Sequence, residues 1–384
     1  MKRIIIGIVA LVMALSSTGC SEAKSSSEVD NSRIENSKTS SDSEAVLDTS
    51  SEEETSRDNE PQLNNSKVIA SGDCGENGDN VKWKLHEDGL LVIEGSGKMK
   101  DYPIDRGAIG GGWGNSEKNN VDTTPWRDYN EKIKSVVVSD GVIHLGQGSF
   151  SNTNIESLVL PNGLDSFNFF SLVNCETLKT IKLSKSIRNI VEDAPNEVDE
   201  YPILYGQRGL EYIDVDEDNE YFSSIDGVLY NKDQTELLCC PPQKREIKIP
   251  DSVKRIRSYA FSGCESLEKI DFPESVEDIG AHAFAGCIKF TTFDIPEKVK
   301  TINSHTFSNC TNLTDIVIPD GVTNIGMGAF DICKNLEFVT IPSSVTAIGM
   351  FAFEGCEKLK IKCTSGSYAE EYAKEHKIKY ELIG

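Results

Sequence analysis

At 384 residues and 42.2 kDa the chain is long enough for a sizeable core and for two or three domains, yet its hydrophobic share of 38% is low for one compact globule. A net charge of −23 argues against a nucleic-acid partner, whose phosphates need clustered Lys and Arg, and against electrostatic docking on anionic lipid.

Residues 1–19 read as an export signal. Lys2 and Arg3 form a basic start, Ile4 to Leu15 an apolar run too short to span a bilayer, and small residues lead to Cys20. The stretch ending Gly19-Cys20 resembles a bacterial lipobox, with Ser17 where that motif usually carries Leu, Val or Ile. The resemblance implies cleavage before Cys20 and lipidation there, hence a protein anchored on the outer face of a bacterial membrane.

Residues 20–67 read as a tether. Ser21 to Ser66 holds no aromatic residue and sets twelve acidic residues against four basic ones, so it cannot bury enough apolar surface to offset ordering entropy. Its span as a flexible coil is about 35–40 Å.

Residues 68–130 are expected to form a β cap, with strands on either side of Asp88-Gly89. From 131 to 363 a 23-residue period dominates. Pro250, Pro273, Pro296, Pro319 and Pro342 keep it, as do Phe261, Phe284, Phe307, Phe330 and Phe353, and Cys264, Cys287, Cys310, Cys333 and Cys356. Val253 to Val345 and Ile256 to Ile348 add two apolar columns in register. This period and pattern predict leucine-rich-repeat-like coils, each too small to hide its apolar face alone.

Within one coil, Leu267-x-x-Ile270-x-Phe272-Pro273 predicts a short strand and Val276-x-x-Ile279-Gly280 a second extended run. Ala283-Phe284 then sends a ring inward from a helical or irregular turn. The fold class expected is a β-rich solenoid with parallel sheets and short helical turns. An insertion at about 218–246 carries a hairpin around "NKDQT". Residues 364–384 are expected to form a helix-strand cap, with Ser367 and Glu370 as a capping box.

The unit "IP-x-x-V-x-x-I-x-x-x-AF-x-x-C", the insertion "FSSIDGVLYNKDQTELL" and the end piece "GSYAEEYAKEHKIKY" together resemble the BspA-type leucine-rich repeat family of bacterial surface proteins. The resemblance covers residues 69–384 and implies adhesion or recognition of an extracellular protein of a host or another microbe.

The five repeat cysteines read best as buried thiols capping turn backbone, although neighbouring coils are close enough for pairing. Cys239-Cys240 lie on a strand, so at most one should face inward. Asp214, Asp216 and Asp218 begin like a calcium loop, but Asn219 stands where the glycine belongs and Ile225 where the glutamate belongs. "GAIGGGWG" at Gly107 reads as a loop, and Glu370-Glu371 as a solvated pair. No metal and no cofactor are expected.

The column Tyr259, His282, His305, Gly328, Phe351 is not needed for the core period and is expected to project outward as a ligand-binding stripe. Asp271, Asp294, Val317 and Thr340 form a second exposed column. A glycan-binding alternative would use Trp113 and Trp126. No nucleophile elbow, HExxH, P-loop or paired carboxylate is present, so catalysis is not expected.

Overall fold

The structure, a computed structural model, describes residues 66–102, 123–166, 169–190, 203 and 207–384, all within the unit Arg57–Gly384. The export signal, Cys20, most of the tether and the glycine-rich stretch with Trp113 lie outside the described residues.

The cap opens with strands Val68–Gly75, Gly78–His86 and Leu90–Gly95, paired antiparallel in that order. Leu90–Gly95 then pairs parallel with Ser135–Val138, which pairs parallel with Ser157–Val159. That change of direction starts the solenoid. Alternation sends Trp83, Leu85, Leu91 and Ile93 inward, and all four are buried.

Each regular coil contributes two short strands. The first series runs through Thr292–Asp294, Asp315–Val317, Phe338–Ile341, Lys360–Cys363 and Lys379–Leu382, each parallel to the next. Phe293 faces Ile316 and Ile316 faces Val339, so one coil equals one 23-residue step. The second series, Thr301–Ile302, Asn324–Ile325 and Ala347–Ile348, keeps the same step.

The Ala-Phe turn builds a third ladder that periodicity does not reveal. Phe261, Phe284, Phe307 and Phe330 donate their N–H groups at 2.8–2.9 Å to the carbonyls of Ala283, Thr306, Ala329 and Ala352 in the following coil. Two left-handed residues flank each of these phenylalanines. Tyr259, His282, His305, Gly328 and Phe351 have φ between +54° and +62°, and Gly263, Gly286, Asn309, Ile332 and Gly355 between +57° and +75°. In the first of these turns the N–H groups of Tyr259, Phe261 and Gly263 all reach the next coil. The regular turns are therefore irregular rather than helical. Short 3-10 turns occur at Arg127–Tyr129 and Phe169–Leu172.

The phenylalanine column stacks through the core, with ring centroids 5.0 Å apart at Phe261–Phe284, 5.6 Å at Phe284–Phe307, 5.3 Å at Phe307–Phe330 and 5.5 Å at Phe330–Phe353. In the N-terminal coils Trp126 occupies the equivalent place, stacked on Phe150 at 5.9 Å with its indole N–H donated to the Ser149 carbonyl. Trp126 is fully buried, so it offers no sugar-stacking surface. The glycan expectation for this residue is corrected: its ring packs in the N-terminal core against Trp83, Tyr102 and Phe150.

The insertion is a three-stranded meander, Phe222–Ile225, Val228–Asn231 and Glu236–Cys239, whose last strand pairs parallel with Arg255–Ile256 of the next coil. Both of its faces are covered. Leu229, Leu238 and Cys239 belong to the core on the N-terminal side, and Tyr230, Leu237 and Cys240 to the core on the C-terminal side. Both vicinal thiols are thus buried, contrary to the expectation that only one could face inward.

At the far end the α-helix Tyr368–Glu375 closes the stack, with Tyr372 edge-on to Phe353. Ser367 Oγ accepts from the Glu370 N–H, and Glu370 Oε2 accepts from the Gly366 N–H at 2.6 Å. Glu370 is buried rather than solvated, because its carboxylate is held between that N–H and Lys374 at 2.6 Å. No helix among the described residues is long and apolar enough to cross a membrane.

Candidate interaction surface

The stripe column lies along the turn edge of the coils. Tyr259 and His282 stack at 4.5 Å with planes 6° apart, and His282 and His305 at 4.7 Å and 15°. All three are half-buried. The stack ends at Gly328, where a Cβ would lie 2.3 Å from His305 Cε1, so the imidazole occupies the space a side chain would take. His305 Nδ1 also lies 3.5 Å from Asp331 Oδ1. Beyond the gap Phe351 is 61% exposed. One column therefore holds two environments, a closed ring stack followed by an open ring.

The open part coincides with a loss of charge. The ten residues from second strand to buried phenylalanine read "SVKRIRSYAF" at Ser252, "SVEDIGAHAF" at Ser275 and "KVKTINSHTF" at Lys298, each with two or three charged side chains. The next two, "GVTNIGMGAF" at Gly321 and "SVTAIGMFAF" at Ser344, have none. Here Met350 is 71% exposed, and Met327, Ile332 and Phe351 are exposed beside it. On a chain this acidic, a charge-free edge with methionine and an aromatic ring has the composition of an interface core. Sequence reasoning picked Phe351 from the column but missed Met327 and Met350. The charge comparison between coils was the signal that could have found them.

The second exposed column is mixed. Asp271 and Asp294 are exposed, Val317 is 63% exposed, and Thr340 is half-buried. Phe338 on the same sheet face is covered by Lys362, whose Nζ stands 4.2 Å from the ring centroid, so its aromatic face is already engaged.

The repeat cysteines form an inner column. Cys287, Cys310, Cys333 and Cys356 donate to the carbonyls of Phe261, Phe284, Phe307 and Phe330 at 3.0–3.2 Å. Burial pushes the Cys310 thiol up to about 12 and raises Cys287 well above its ordinary value. For Cys264 the larger cause is its hydrogen bond with Cys240, with burial second. Cys287 and Cys310 are therefore protonated donors at neutral pH, which is the state that tethers a turn carbonyl.

The acidic run at Asp214 does not converge on a point. Asp216 Oδ1 accepts from the Asp218 N–H at 3.0 Å, a local turn. Asn219 has a role its position in a failed calcium motif did not suggest. Fully buried, it donates to the Ser184 and Ile187 carbonyls at 2.9 Å and accepts from the Tyr221 and Phe222 N–H groups at 2.8 Å. One amide thus pins the meander to the preceding coil. No group of three or more His, Cys, Asp or Glu placed to hold a metal occurs among the described residues.

Comparison with known proteins agrees with this architecture. The sequence matches the BspA type leucine rich repeat region in six copies, over residues 128–215 and 239–360. Among solved structures, a leucine-rich repeat protein from Eubacterium ventriosum is 23% identical with a TM-score of 0.51, over 76% of this chain and 90% of that one. A leucine rich cell surface protein from Faecalibacterium prausnitzii is 21% identical with a TM-score of 0.47, over 80% of this chain and 98% of its own. The pneumococcal vaccine antigen PcpA is 17% identical with a TM-score of 0.46, over 83% and 100%. A comparison with curated proteins finds no match. With more than half its length matched by the repeat, and with coils that stack at that period, the chain belongs to the BspA-type leucine-rich repeat family.

Proposed function

We propose that this chain is a lipid-anchored protein of the bacterial cell surface that uses its solenoid to recognise an extracellular protein, in adhesion or in contact between cells. The charge-free turn edge of the last two coils carries the reading. Met327, Met350 and Phe351 are exposed on it although the core does not require them there. A surface residue that costs solubility and adds nothing to the core has a reason when a partner covers it. The export signal, Cys20 and the acidic tether support display at a distance from the membrane. Membership of the repeat family is in keeping with binding rather than catalysis.

The glycan alternative has less support. Trp126 is buried, and both faces of the His282 ring are covered by Tyr259 and His305.

The test compares capture of extracellular proteins by the wild-type chain and by a Met350→Asp, Phe351→Asp variant. A single protein partner retained by the first and lost by the second, with unchanged melting temperature, is the expected outcome. Equal capture by both removes the turn edge from the reading. Labelling of the chain with radioactive palmitate, lost in Cys20→Ser, tests the anchor.

A further inference from the structure

The terminal strand Lys379–Leu382 has one neighbour, Lys360–Cys363, and its other edge is open among the described residues. An open strand edge presents a row of N–H and C=O groups, and proteins usually blunt such edges with bulges, proline, short length or charged side chains. The opposite end of the molecule does so: Val68–Gly75 shows two register irregularities, between Val68 and Ala70 and between Asp73 and Gly75. Lys379–Leu382 pairs without irregularity, contains no proline, and is exposed along its whole length.

Its hydrogen-bonding direction follows from one contact. The Ile383 N–H donates to the Cys363 carbonyl at 2.9 Å, so the odd-numbered residues face the neighbouring strand. The N–H and C=O groups of Tyr380 and Leu382 consequently point to the open edge. Ile378 has given its N–H to the Ala373 carbonyl at the end of the cap helix, which leaves its carbonyl as the group in line with the edge.

The side chains read the same in both directions. Around Tyr380 the order is Ile378, Lys379, Tyr380, Glu381, Leu382. In an antiparallel pair centred on Tyr380, each Lys379 lies opposite a Glu381, each Ile378 opposite a Leu382, and the two tyrosines opposite each other. Opposite-charge and apolar cross-strand pairs are the stabilising kind. The backbone agrees with this register, because Tyr380 must be a hydrogen-bonded pair at the centre and its groups face outward. Tyr380 and Leu382 occupy core-facing positions, opposite Ile361 and Cys363, yet both are exposed among the described residues.

We propose that the open edge pairs with the same edge of a second copy of this chain. The result is a closed two-fold dimer in which one sheet runs through both solenoids. The pairing uses the Tyr380 N–H and C=O reciprocally and the Leu382 N–H with the Ile378 carbonyl of the other copy. A patch used twice about a two-fold axis closes on itself and forms no filament. This dimer does not depend on the proposed recognition role, since its strand lies outside the turn edge.

Sedimentation equilibrium of the full chain tests it. The expected mass is twice that of one chain at tens of micromolar and above. Glu381→Lys sets lysine against lysine and weakens the dimer by about tenfold or more, the effect of roughly 1.4 kcal/mol. The double swap Lys379→Glu, Glu381→Lys restores opposite pairs and returns the dissociation constant to near wild type. Tyr380→Pro, which removes an outward N–H but no hydrogen bond to the neighbouring strand, gives a monomer with wild-type melting behaviour. A single-chain mass up to about 100 µM, a dimer indifferent to Glu381→Lys, a swap that stays monomeric, or masses growing beyond two chains would each overturn the proposal.

Discussion

The Cys310 thiol donates to the Phe284 carbonyl at 3.2 Å, one coil back, and three further cysteines of the column do the same. The bond needs a protonated sulfur, and burial supplies it by pushing Cys310 up to about 12. Alkylation follows the thiolate, so Cys287 and Cys310 are expected to react with iodoacetamide at pH 8 only as fast as the protein opens. Cys356, half-buried at the edge of the column, should react first. Site-resolved mass spectrometry reads the order. Rapid labelling of Cys310 in native protein contradicts the packing described.

Gly328 and His305 make a second pair whose geometry predicts a measurable coupling. An added Cβ at 328 meets the imidazole at 2.3 Å and must adopt φ +58°. The left-handed backbone alone costs an alanine about 1–2 kcal/mol. Gly328→Ala should therefore destabilise by about that amount or a little more, because the ring can move partway. In His305→Ala the ring clash is absent, so the double variant should be more stable than the sum of the singles predicts. Strict additivity in urea unfolding would mean the two positions do not touch.

The buried columns were legible because each coil repeats the same burial at the same step, so Phe307 announces Phe284 and Phe330. Three other features were not, each for a physical reason. The left-handed φ at Tyr259 and His282 goes with hydrogen bonds from their N–H groups to the Ala281 and Ser304 carbonyls of the next coil, contacts that no single coil's sequence displays. Cys239 and Cys240 are both buried because the meander is covered on two sides, and alternation along one strand cannot say what covers it. Asn219 was weighed against a calcium loop in which it is a defect, although its four backbone partners come from two separate segments. The turn-edge column was named from sequence, but its division into a closed stack and an open ring depends on Gly328, whose slot belongs to its neighbour's imidazole.

Phe307 gives the scale of the column. It stacks between Phe284 and Phe330 and meets Phe293 at 4.8 Å. Phe307→Ala should cost about 3–5 kcal/mol, since the coils on both sides are held and the cavity cannot close. Phe307→Leu keeps most of the volume and should cost markedly less. Denaturant midpoints at constant slope check both values. A loss under about 1 kcal/mol for the alanine would mean that the coils collapse around the gap.

Asn219→Asp tests whether the amide pins the meander. The substitution keeps size but replaces the two N–H donors that reach the Ser184 and Ile187 carbonyls with an oxygen. Two carbonyls then face a buried carboxylate, and a loss of about 3 kcal/mol or more is expected. Asn219→Ala also leaves the Tyr221 and Phe222 N–H groups without their acceptor. Amide exchange should quicken first in 222–239 if the pin is local. A uniform rise across the chain would place the effect in global stability instead.

Glu370 sets how the cap responds to acid. Its carboxyl is held below the usual carboxylate range, first by the Lys374 ammonium and then by the Gly366 N–H. A carboxylate lowered by folding adds stability that is complete above its unfolded value and disappears as the pH falls through the folded one. The helix Tyr368–Glu375 should therefore loosen on acidification below the ordinary glutamate range, while neutral to mildly alkaline pH leaves it unchanged. Glu370→Gln keeps an acceptor for the Gly366 N–H and removes the ion pair, so its helix should lose this acid dependence and start from a lower stability at pH 7. Hydrogen exchange in 368–376 between pH 3 and pH 7, corrected for the intrinsic rate, reads the difference. Equal slopes in wild type and Glu370→Gln would assign the acid response to another carboxylate.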